Sequence, residues 1–170
     1  INLAQKIDIF KPTIDGVVKG NPRSLLLVEF AEENMDENHR RLKKLHQLIG
    51  DLGYSWNKGI RNGGVVDVID SNLQSKVSEM RKSGLNIMMS MKNDAKPVSF
   101  IEDCAVELKD LAEYTDGLNK IFDKYNVKGT WYAHASVGCL HVRPVLNMKI
   151  QDDVDKMRNI ANETSLSKKI

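Results

Sequence analysis

Apolar residues spaced three or four positions apart predict helices in several parts of the chain. The pattern over residues 36–52 is that of an amphipathic helix, and Gly53 marks its end. A second helix is predicted to begin at Ser71, which fits a capping box with Gln74. Its apolar face is rich in methionine and reaches Met91, and we interpret that face as core rather than as a cofactor site. The same spacing predicts two further helices, at residues 108–125 and 152–161.

Short apolar segments between these helices predict strands. They are SLLLVEF (24–30), VVDVID (65–70), KPVSFIEDCAV (96–106), GTWYAH (129–134) and CLHVRPVLN (139–147). The last two segments are joined too closely to form a parallel pair. The order β-α-β-α-β-α-β-β-α therefore predicts an α+β fold. Its expected form is a ferredoxin-like antiparallel sheet with helices packed on it and one extra helix after the second strand.

Composition places the chain among ordinary globular proteins. It has 170 residues, of which 41% are hydrophobic and 28% charged, and its net charge of +2 is too small to predict binding to nucleic acid. The basic run HRRLKK (39–44) falls on the first predicted helix and is interpreted as its solvated face. Cys104 and Cys139 lie in strand-like segments and indicate reduced thiols, so we expect a cytoplasmic protein. No apolar run approaches the roughly 20 residues of a membrane-spanning helix.

The stretch YAHASVGCLHVRP (132–144) contains the candidate chemistry, because two histidines stand seven residues apart in a predicted hairpin. If Val137 and Gly138 form a two-residue turn, His134 lies directly opposite His141. Directly opposed residues share a face of the sheet and have Cβ atoms about 4.5–5.5 Å apart, close enough for two imidazoles to bind one cation. The alternation expected on that face includes Tyr132, His134, His141 and Arg143. Ala133, Leu140 and Val142 are expected in the core.

An ordinary hairpin that happens to contain two histidines remains the alternative, because two ligands do not close a metal site. His39 and His46 are also seven residues apart, but they lie on a predicted helix. Two helical turns separate them by about 10.5 Å along the axis, too far to share one metal ion. We interpret them as boundary residues of an amphipathic face.

Two longer stretches carry a family resemblance. MRKSGLNIMMSMKNDAKPVSFIEDCAV (80–106) and GTWYAHASVGCLHVRPVLNMK (129–149) resemble the C-terminal part of FAD-linked oxidases of the vanillyl-alcohol oxidase type. Within that group the chain is most similar to long 2-hydroxy acid dehydrogenases that combine FAD with an iron–sulfur half, acting on D-lactate or D-2-hydroxyglutarate. The resemblance covers roughly residues 24–165. It implies a cap, or substrate, domain that covers a flavin held mainly by a separate domain.

The resemblance also implies site residues. The H-x6-H motif of metal-dependent members corresponds to His134 and His141, which would bind a divalent metal such as zinc or manganese. Arg81 corresponds to an arginine that grips a substrate carboxylate, although a surface arginine lying over its own helix is the alternative. Arg143 occupies a position where relatives use a polar residue that contacts substrate, and Lys96 is a further candidate for substrate binding.

The chain departs from the family pattern in places that matter for the site. Many relatives have GDGN within the histidine motif where this chain has SVGC, so the turn depends on Gly138. Relatives often have a tryptophan where this chain has Ser78. Glu102 and Asp103 are interpreted as strand residues rather than as acid–base partners.

Taken together, these features predict that residues 1–170 form one cap domain of a longer flavoprotein. The chain begins at Ile1 rather than Met, which favours a piece of a longer chain whose flavin domain and remaining active-site segment lie elsewhere. The parent would oxidise a 2-hydroxy acid by hydride transfer to FAD, with an iron–sulfur cluster elsewhere in it, whereas this chain alone is expected to be inactive. The alternative is a free-standing ferredoxin-like module that binds a small ligand or forms oligomers without catalysis.

Overall fold

The computed structural model describes residues 4–56 and 61–167, so the terminal positions 1–3 and 168–170 lie outside the described residues. The chain divides into two compact units, Ile1–Gly84 and Leu85–Ile170. A small antiparallel sheet with helices packed on it confirms the α+β class. The expectation of one cap domain stays a prediction. Within the described ranges, no helix is both long enough and apolar enough to cross a membrane.

Helices dominate the first unit. They are α1 (Lys11–Val17), α2 (Met35–Asp51) and α3 (Ser71–Lys82). The Asn34 side chain accepts a hydrogen bond from the Asp36 amide at 2.8 Å, which fixes the start of α2 close to the predicted position. The predicted capping box of α3 is wrong by one residue. The cap is Asp70, whose carboxylate accepts from the Leu73 amide at 2.7 Å, while the Gln74 side chain donates to the Val68 carbonyl instead.

The strands predicted at 24–30 and 65–70 are wrong. Both segments are irregular in the structure, and the leucines of the first are exposed: 54% for Leu25, 72% for Leu26 and 49% for Leu27. A strand needs a hydrogen-bonded neighbour, and the described part of this unit contains only an isolated bridge between Tyr54 and Arg61. Because the ferredoxin-like arrangement took these segments as its first two strands, the structure does not confirm that arrangement or the extra helix expected after the second strand.

The methionine-rich helix is interrupted rather than continuous. α3 ends at Lys82, and a separate short helix, α4 (Gly84–Met89), follows it. Of the predicted apolar face, Ile87 is buried, and Met80 and Met88 are half-buried. The interpretation as a packed face is therefore partly correct, and no residue of α3 is fully buried.

The second unit is built around one strand. After α4, its strands and longer helices are β1 (Lys96–Pro97), β2 (Cys104–Ala105), α5 (Leu111–Lys124), β3 (Gly129–His134), β4 (Cys139–Leu146) and α6 (Gln151–Ser167). β3 pairs antiparallel with β4 along its whole length. β1 and β2 also pair with β4, at opposite ends of it. Every strand of this sheet is therefore positioned by β4.

Alternation along β4 separates a core face from an accessible face. Leu140, Val142, Pro144 and Leu146 are buried, and they alternate with four half-buried residues: Cys139, His141, Arg143 and Val145. The core is completed by Leu118 and Phe122 of α5 and Ile160 of α6, which are 1%, 3% and 0% exposed. The helices therefore cover one face of β4 and leave the other face open to solvent.

The strand predicted over 96–106 is broken in its middle. Pro97 pairs with Val145, and Cys104 pairs with Leu140, so six residues (98–103) face only four (141–144). The two extra residues cannot join the ladder, and Asp103 adopts a left-handed backbone conformation with φ 58°. Glu102 and Asp103 are therefore not strand residues. They lie in the break between β1 and β2.

Candidate functional site

The turn between β3 and β4 differs from the predicted two-residue turn. Residues Ala135–Val137 form a short 3-10 turn, and Gly138 closes it with φ 67°. A Cβ atom at Gly138 would lie 2.0 Å from the Val106 carbonyl oxygen, so both the backbone angle and the close approach require glycine. In the ladder that results, His134 pairs with Cys139, and Tyr132 rather than His134 lies opposite His141.

The two histidines nevertheless share a face. The register differs from the predicted one by two residues, and only a shift by one residue would move side chains to the opposite face. His134 and His141 are therefore diagonal neighbours, and their ring centroids lie 5.1 Å apart in an edge-to-face arrangement. The Tyr132 ring lies 5.7 Å from the His141 ring, stacked on it, and 5.6 Å from the His134 ring. The prediction that the two histidines share a face is confirmed, whereas the predicted register, which set them directly opposite each other, is wrong.

The opposite face agrees with the prediction only in part. Leu140 and Val142 are buried at 5% and 0% exposure, as expected. Ala133 is exposed, as are its strand neighbours from Trp131 to His134. β3 pairs only with β4 among the described strands, and the end of β3 nearest the turn extends beyond the buried core.

The break between β1 and β2 brings an acid to His141. Oδ1 of Asp103 lies 2.7 Å from Nδ1 of His141, and the Asp103 side chain is otherwise exposed. Cys139 lies beside this pair. One potential ligand atom from each of Asp103, Cys139 and His141 falls within 4.8 Å of the other two. A thiol and a carboxylate therefore lie beside His141, and this cluster does not include His134.

A second acid of the same break pairs with Arg143. The Glu102 carboxylate accepts from Nε of Arg143 at 2.6 Å and also from Nη2, and it accepts from the Ser99 hydroxyl. The Ser99 hydroxyl, followed by the Arg143 guanidinium, holds the pKa of Glu102 below its usual value. The positive charge of Arg143 is therefore balanced by a neighbour within this chain.

The other candidate residues for substrate binding are Lys96 and Arg81. Lys96 opposes Leu146 at the far end of β4, five residues and roughly 17 Å from His141 at about 3.4 Å per residue. Its ammonium donates to the Met91 carbonyl. Arg81 belongs to the first unit, where its Nη1 lies 4.0 Å from Glu29. The expectation that Arg81 faces the same side as His134 stays a prediction.

The donor set at the hairpin fits a metal ion of borderline softness. Imidazole nitrogen, thiolate sulfur and carboxylate oxygen are the ligands that zinc takes in proteins, whereas magnesium and calcium prefer oxygen alone. Cavities of about 180 and 250 Å³ are present in the first unit, and both are smaller than the roughly 300–1,000 Å³ of typical small-molecule sites.

Comparison with known proteins identifies the family. The model of the family described as "FAD linked oxidases, C-terminal domain" matches residues 5–169. The chain belongs to this family. This match confirms the resemblance noted in the two longest motifs. The hairpin site therefore lies within an FAD-linked oxidase C-terminal domain.

Three relatives of this FAD-linked oxidase domain share the same name. A D-2-hydroxyglutarate dehydrogenase of Haemophilus influenzae is 26% identical over 180 residues, covering 97% of this chain. Proteins of that name from Pantoea ananatis and Escherichia coli are 27% and 26% identical over 167 residues, each covering 96% of the chain. The chain spans only 16% of the length of each of these relatives. No solved structure showed significant similarity to it.

Sequence reasoning missed Glu102, Asp103 and Cys139 as part of the site. Two consecutive acids inside an otherwise apolar segment were a usable signal, because aspartate and glutamate are depleted in strands. The segment 96–106 was also longer than the strand that faces it. Cys139 offered a simpler signal, since it lies two residues before His141 and so on the same face of a strand.

Proposed function

We propose that this chain is the substrate-facing domain of an FAD-dependent dehydrogenase that oxidises a 2-hydroxy acid by hydride transfer to the flavin. Membership of the FAD-linked oxidase family and the name shared by its relatives support the proposal. The single observation that carries the chain's own role is the histidine pair, whose rings lie 5.1 Å apart on the open face of the hairpin. The flavin, when bound by the parent protein, accepts the hydride from the substrate carbon.

His134 and His141 hold a divalent cation, zinc or manganese, in this proposal. When bound there, such a cation would act as a Lewis acid and would lower the pKa of the substrate hydroxyl. Tyr132 packs against both rings and limits their rotation, so the imidazoles are held in position before the substrate arrives. The cation's remaining ligands, the flavin domain, and an iron–sulfur cluster that takes the electrons are assigned to other parts of a cytoplasmic parent protein.

Cationic side chains complete the recognition of the substrate. The relatives are named for 2-hydroxyglutarate, which has two carboxylates, and a substrate of that class needs a positive partner for each. Arg81 and Arg143 are the proposed partners. Arg143 must then bind with the nitrogen that Glu102 does not use, or exchange Glu102 for the substrate. Lys96 is the weakest of the proposed contacts, because it lies at the far end of β4 and donates to the Met91 carbonyl.

Metal titration tests the role of the histidine pair. Isothermal titration calorimetry with zinc and with manganese should show weak binding by the chain, lost on His134→Ala or His141→Ala with the circular dichroism spectrum unchanged. Binding should weaken on acidification, because only a neutral imidazole can act as a ligand. The matched control is His39→Ala on α2, which should bind as the wild type does. Equal binding by all four proteins would show that the pair is not a metal site.

The assignment of the flavin to another domain has its own test. The purified chain should be colourless and should not oxidise D-lactate or D-2-hydroxyglutarate. An absorption spectrum with a flavin band at near-stoichiometric intensity would contradict this assignment.

A further inference from the structure

Arg143 lies on the open face of β4, where a neighbouring acid holds it in place. It follows His141 by two residues, so the two side chains share that face about 6.8 Å apart along the strand. The Arg143 side chain is only 18% exposed, and that of its partner Glu102 is 21% exposed. An ion pair this enclosed keeps its geometry more firmly than a surface pair, which solvent screens.

The contacts within this ion pair use one edge of the guanidinium. Oε1 of Glu102 accepts from Nε of Arg143 at 2.6 Å and also from Nη2. Oε2, the other carboxylate oxygen, accepts from the Ser99 hydroxyl. A guanidinium has five N–H donors, and the edge formed by Nη1 and the second hydrogen of Nη2 takes no part in these contacts. That edge has the fork geometry that binds a carboxylate through two parallel hydrogen bonds.

The break between β1 and β2 holds Glu102 in place. At its start, the Val98 amide donates to the Pro144 carbonyl at 2.8 Å, which ties the break to β4. Near its end, Ile101 is 6% exposed in the core, and its carbonyl accepts from the Cys104 thiol at 3.4 Å. Glu102 therefore lies on an anchored segment, and its carboxylate is a fixed partner for the guanidinium.

We propose that Glu102, supported by Ser99, is a positioning residue that fixes the Arg143 guanidinium so that its other edge binds the second carboxylate of a dicarboxylic 2-hydroxy acid. The inference rests on the function proposed above, because it takes Arg143 as a contact for the substrate. It favours the first of the two binding modes open to Arg143, in which Glu102 stays in place. It also gives Glu102 a part in choosing substrates with two carboxylates over substrates with one.

The spacing along β4 suits a five-carbon dicarboxylate. C1 and C5 of such a molecule lie roughly 5 Å apart when it is extended, given carbon–carbon bonds of about 1.5 Å. His141 and Arg143 are about 6.8 Å apart along the strand, so a ligand with its hydroxyl end at the histidines reaches Arg143 with its distal carboxylate. D-Lactate has a single carboxylate and cannot make both contacts.

Two opposing effects of Glu102 determine what it does to binding. An arginine that is already held loses less side-chain entropy when it binds a carboxylate, which strengthens that contact roughly two- to tenfold. The negative charge of Glu102 opposes the binding of every anion, whether it has one carboxylate or two. Glu102 is therefore expected to increase the preference for a dicarboxylate rather than the affinity for anions in general.

Nuclear magnetic resonance of the arginine side chains tests the positioning in the chain without ligand. The Nε–H signal of Arg143, assigned with Arg143→Lys, should exchange slowly with water, and its Nη protons should be resolved because rotation about Nε–Cζ is slow. Glu102→Ala should accelerate both processes at least about tenfold, since hydrogen bonds between charged groups are among the stronger ones in proteins. Ser99→Ala should accelerate them less, because Ser99 contacts Glu102 and acts through it. Unchanged rates in Glu102→Ala would overturn the inference.

Titration of the same samples with D-2-hydroxyglutarate and with D-lactate tests the consequence for binding. The ratio of the two dissociation constants, measured from the signals of Arg143 and its strand neighbours, should favour D-2-hydroxyglutarate in the wild type. It should fall about two- to tenfold in Glu102→Ala. Glu102→Gln should lose less of the preference, because the amide oxygen still accepts from the guanidinium without its charge. The matched control is Glu107→Ala, which removes an exposed acid just after β2 and should keep the wild-type ratio.

The outcomes separate this inference from the function it rests on. A preference that is lost in Arg143→Gln but unchanged in Glu102→Ala would overturn the positioning role and leave Arg143 as a substrate contact. Faster exchange of the wild-type Nε–H signal at saturating D-2-hydroxyglutarate would mean that the ligand displaces Glu102, which contradicts the inference alone. A preference unchanged in Arg143→Gln, or binding of neither acid by the wild type, would overturn both the inference and the substrate contact proposed for Arg143.

Discussion

The two units of this chain use their apolar residues differently. In the second unit, residues from two helices and one strand close a core around Val142 and Ile160, both 0% exposed. In the first unit, the described residues that are fully buried are confined to the N-terminal part, at Ala4, Thr13 and Ile14. A largely apolar segment, 24–30, is left mostly exposed there.

Apolar residues are thus not enough to make a strand. β4 is apolar at alternate positions and pairs with three other segments, which satisfies its backbone groups and buries one face. The run SLLLVEF is more hydrophobic than β4, yet it has no strand partner among the described residues of its unit and remains irregular. The difference predicts that stability resides mainly in the second unit.

Amide hydrogen exchange should give the largest contrast between the units. Amides of β4 that bond to β3 should exchange at least about a thousandfold more slowly than the amides of residues 24–30, because they open only when the core opens. Mass spectrometry of peptides after exchange measures both regions in one sample. Comparable protection of residues 24–30 would mean that this segment is paired in solution, and the contrast would fail.

A matched pair of leucine substitutions should give the next largest effect. Leu118→Ala removes a side chain that is 1% exposed, and it should lower the free energy of unfolding by about 2–5 kcal/mol. Leu26→Ala removes one that is 72% exposed, and it should change that free energy by less than about 0.5 kcal/mol. Urea denaturation followed by circular dichroism measures both. Similar losses for the two variants would show that Leu26 is packed.

Alanine substitutions at two glycines with the same φ distinguish the cost of backbone strain from the cost of steric crowding. Gly20 and Gly138 both have φ 67°, but a Cβ at Gly20 meets nothing within 4 Å, whereas at Gly138 it meets the Val106 carbonyl oxygen. Gly20→Ala should therefore cost only the left-handed strain, about 1–2 kcal/mol, and Gly138→Ala should cost more than about 2 kcal/mol. The same urea denaturation applies. Equal costs would show that the β3–β4 turn can shift away from Val106.

Acidification should have the smallest effect on the free energy of unfolding. The effect should come from ion pairs in both units. The pKa of Glu102 is lowered from its usual 4.5 by Ser99 and then Arg143, and that of Glu37 is lowered to about 2 by Arg40 and Arg41. A lowered folded-state pKa contributes stability above the unfolded value and loses it as pH falls through the folded value.

The unfolding midpoint should therefore fall as pH drops below 4.5. Glu102→Gln should flatten that fall more than Glu37→Gln does, because the Glu37 pair lies on an exposed helix surface where solvent screens it. Urea midpoints measured across this pH range test the order. A steeper fall in Glu102→Gln than in the wild type would contradict the assignment of its carboxylate as stabilising.

Local patterns predicted the parts of the fold that depend on near neighbours. The helical spacing at 36–52 and 108–125 corresponds to α2 and, after a short 3-10 turn, α5, because an amphipathic face is set by residues three and four apart. β3 and β4 were also predictable from composition and their close connection. The prediction that His134 and His141 share a face is correct despite a two-residue error in register, because side chains alternate between the two faces of a strand with a period of two.

The sequence by itself therefore determined the family, the main helices, the hairpin and the side of it on which the histidines lie. Only the tertiary structure decided that SLLLVEF forms no strand within the described residues and that Gly138 packs on Val106. It also decided that Asp103 and Glu102 lie in the break between β1 and β2, where they contact His141 and Arg143. The physical reason is the range of the interactions. Periodicity reports on neighbours within one or two turns, whereas strand pairing and the break opposite β4 depend on residues about 40 positions apart.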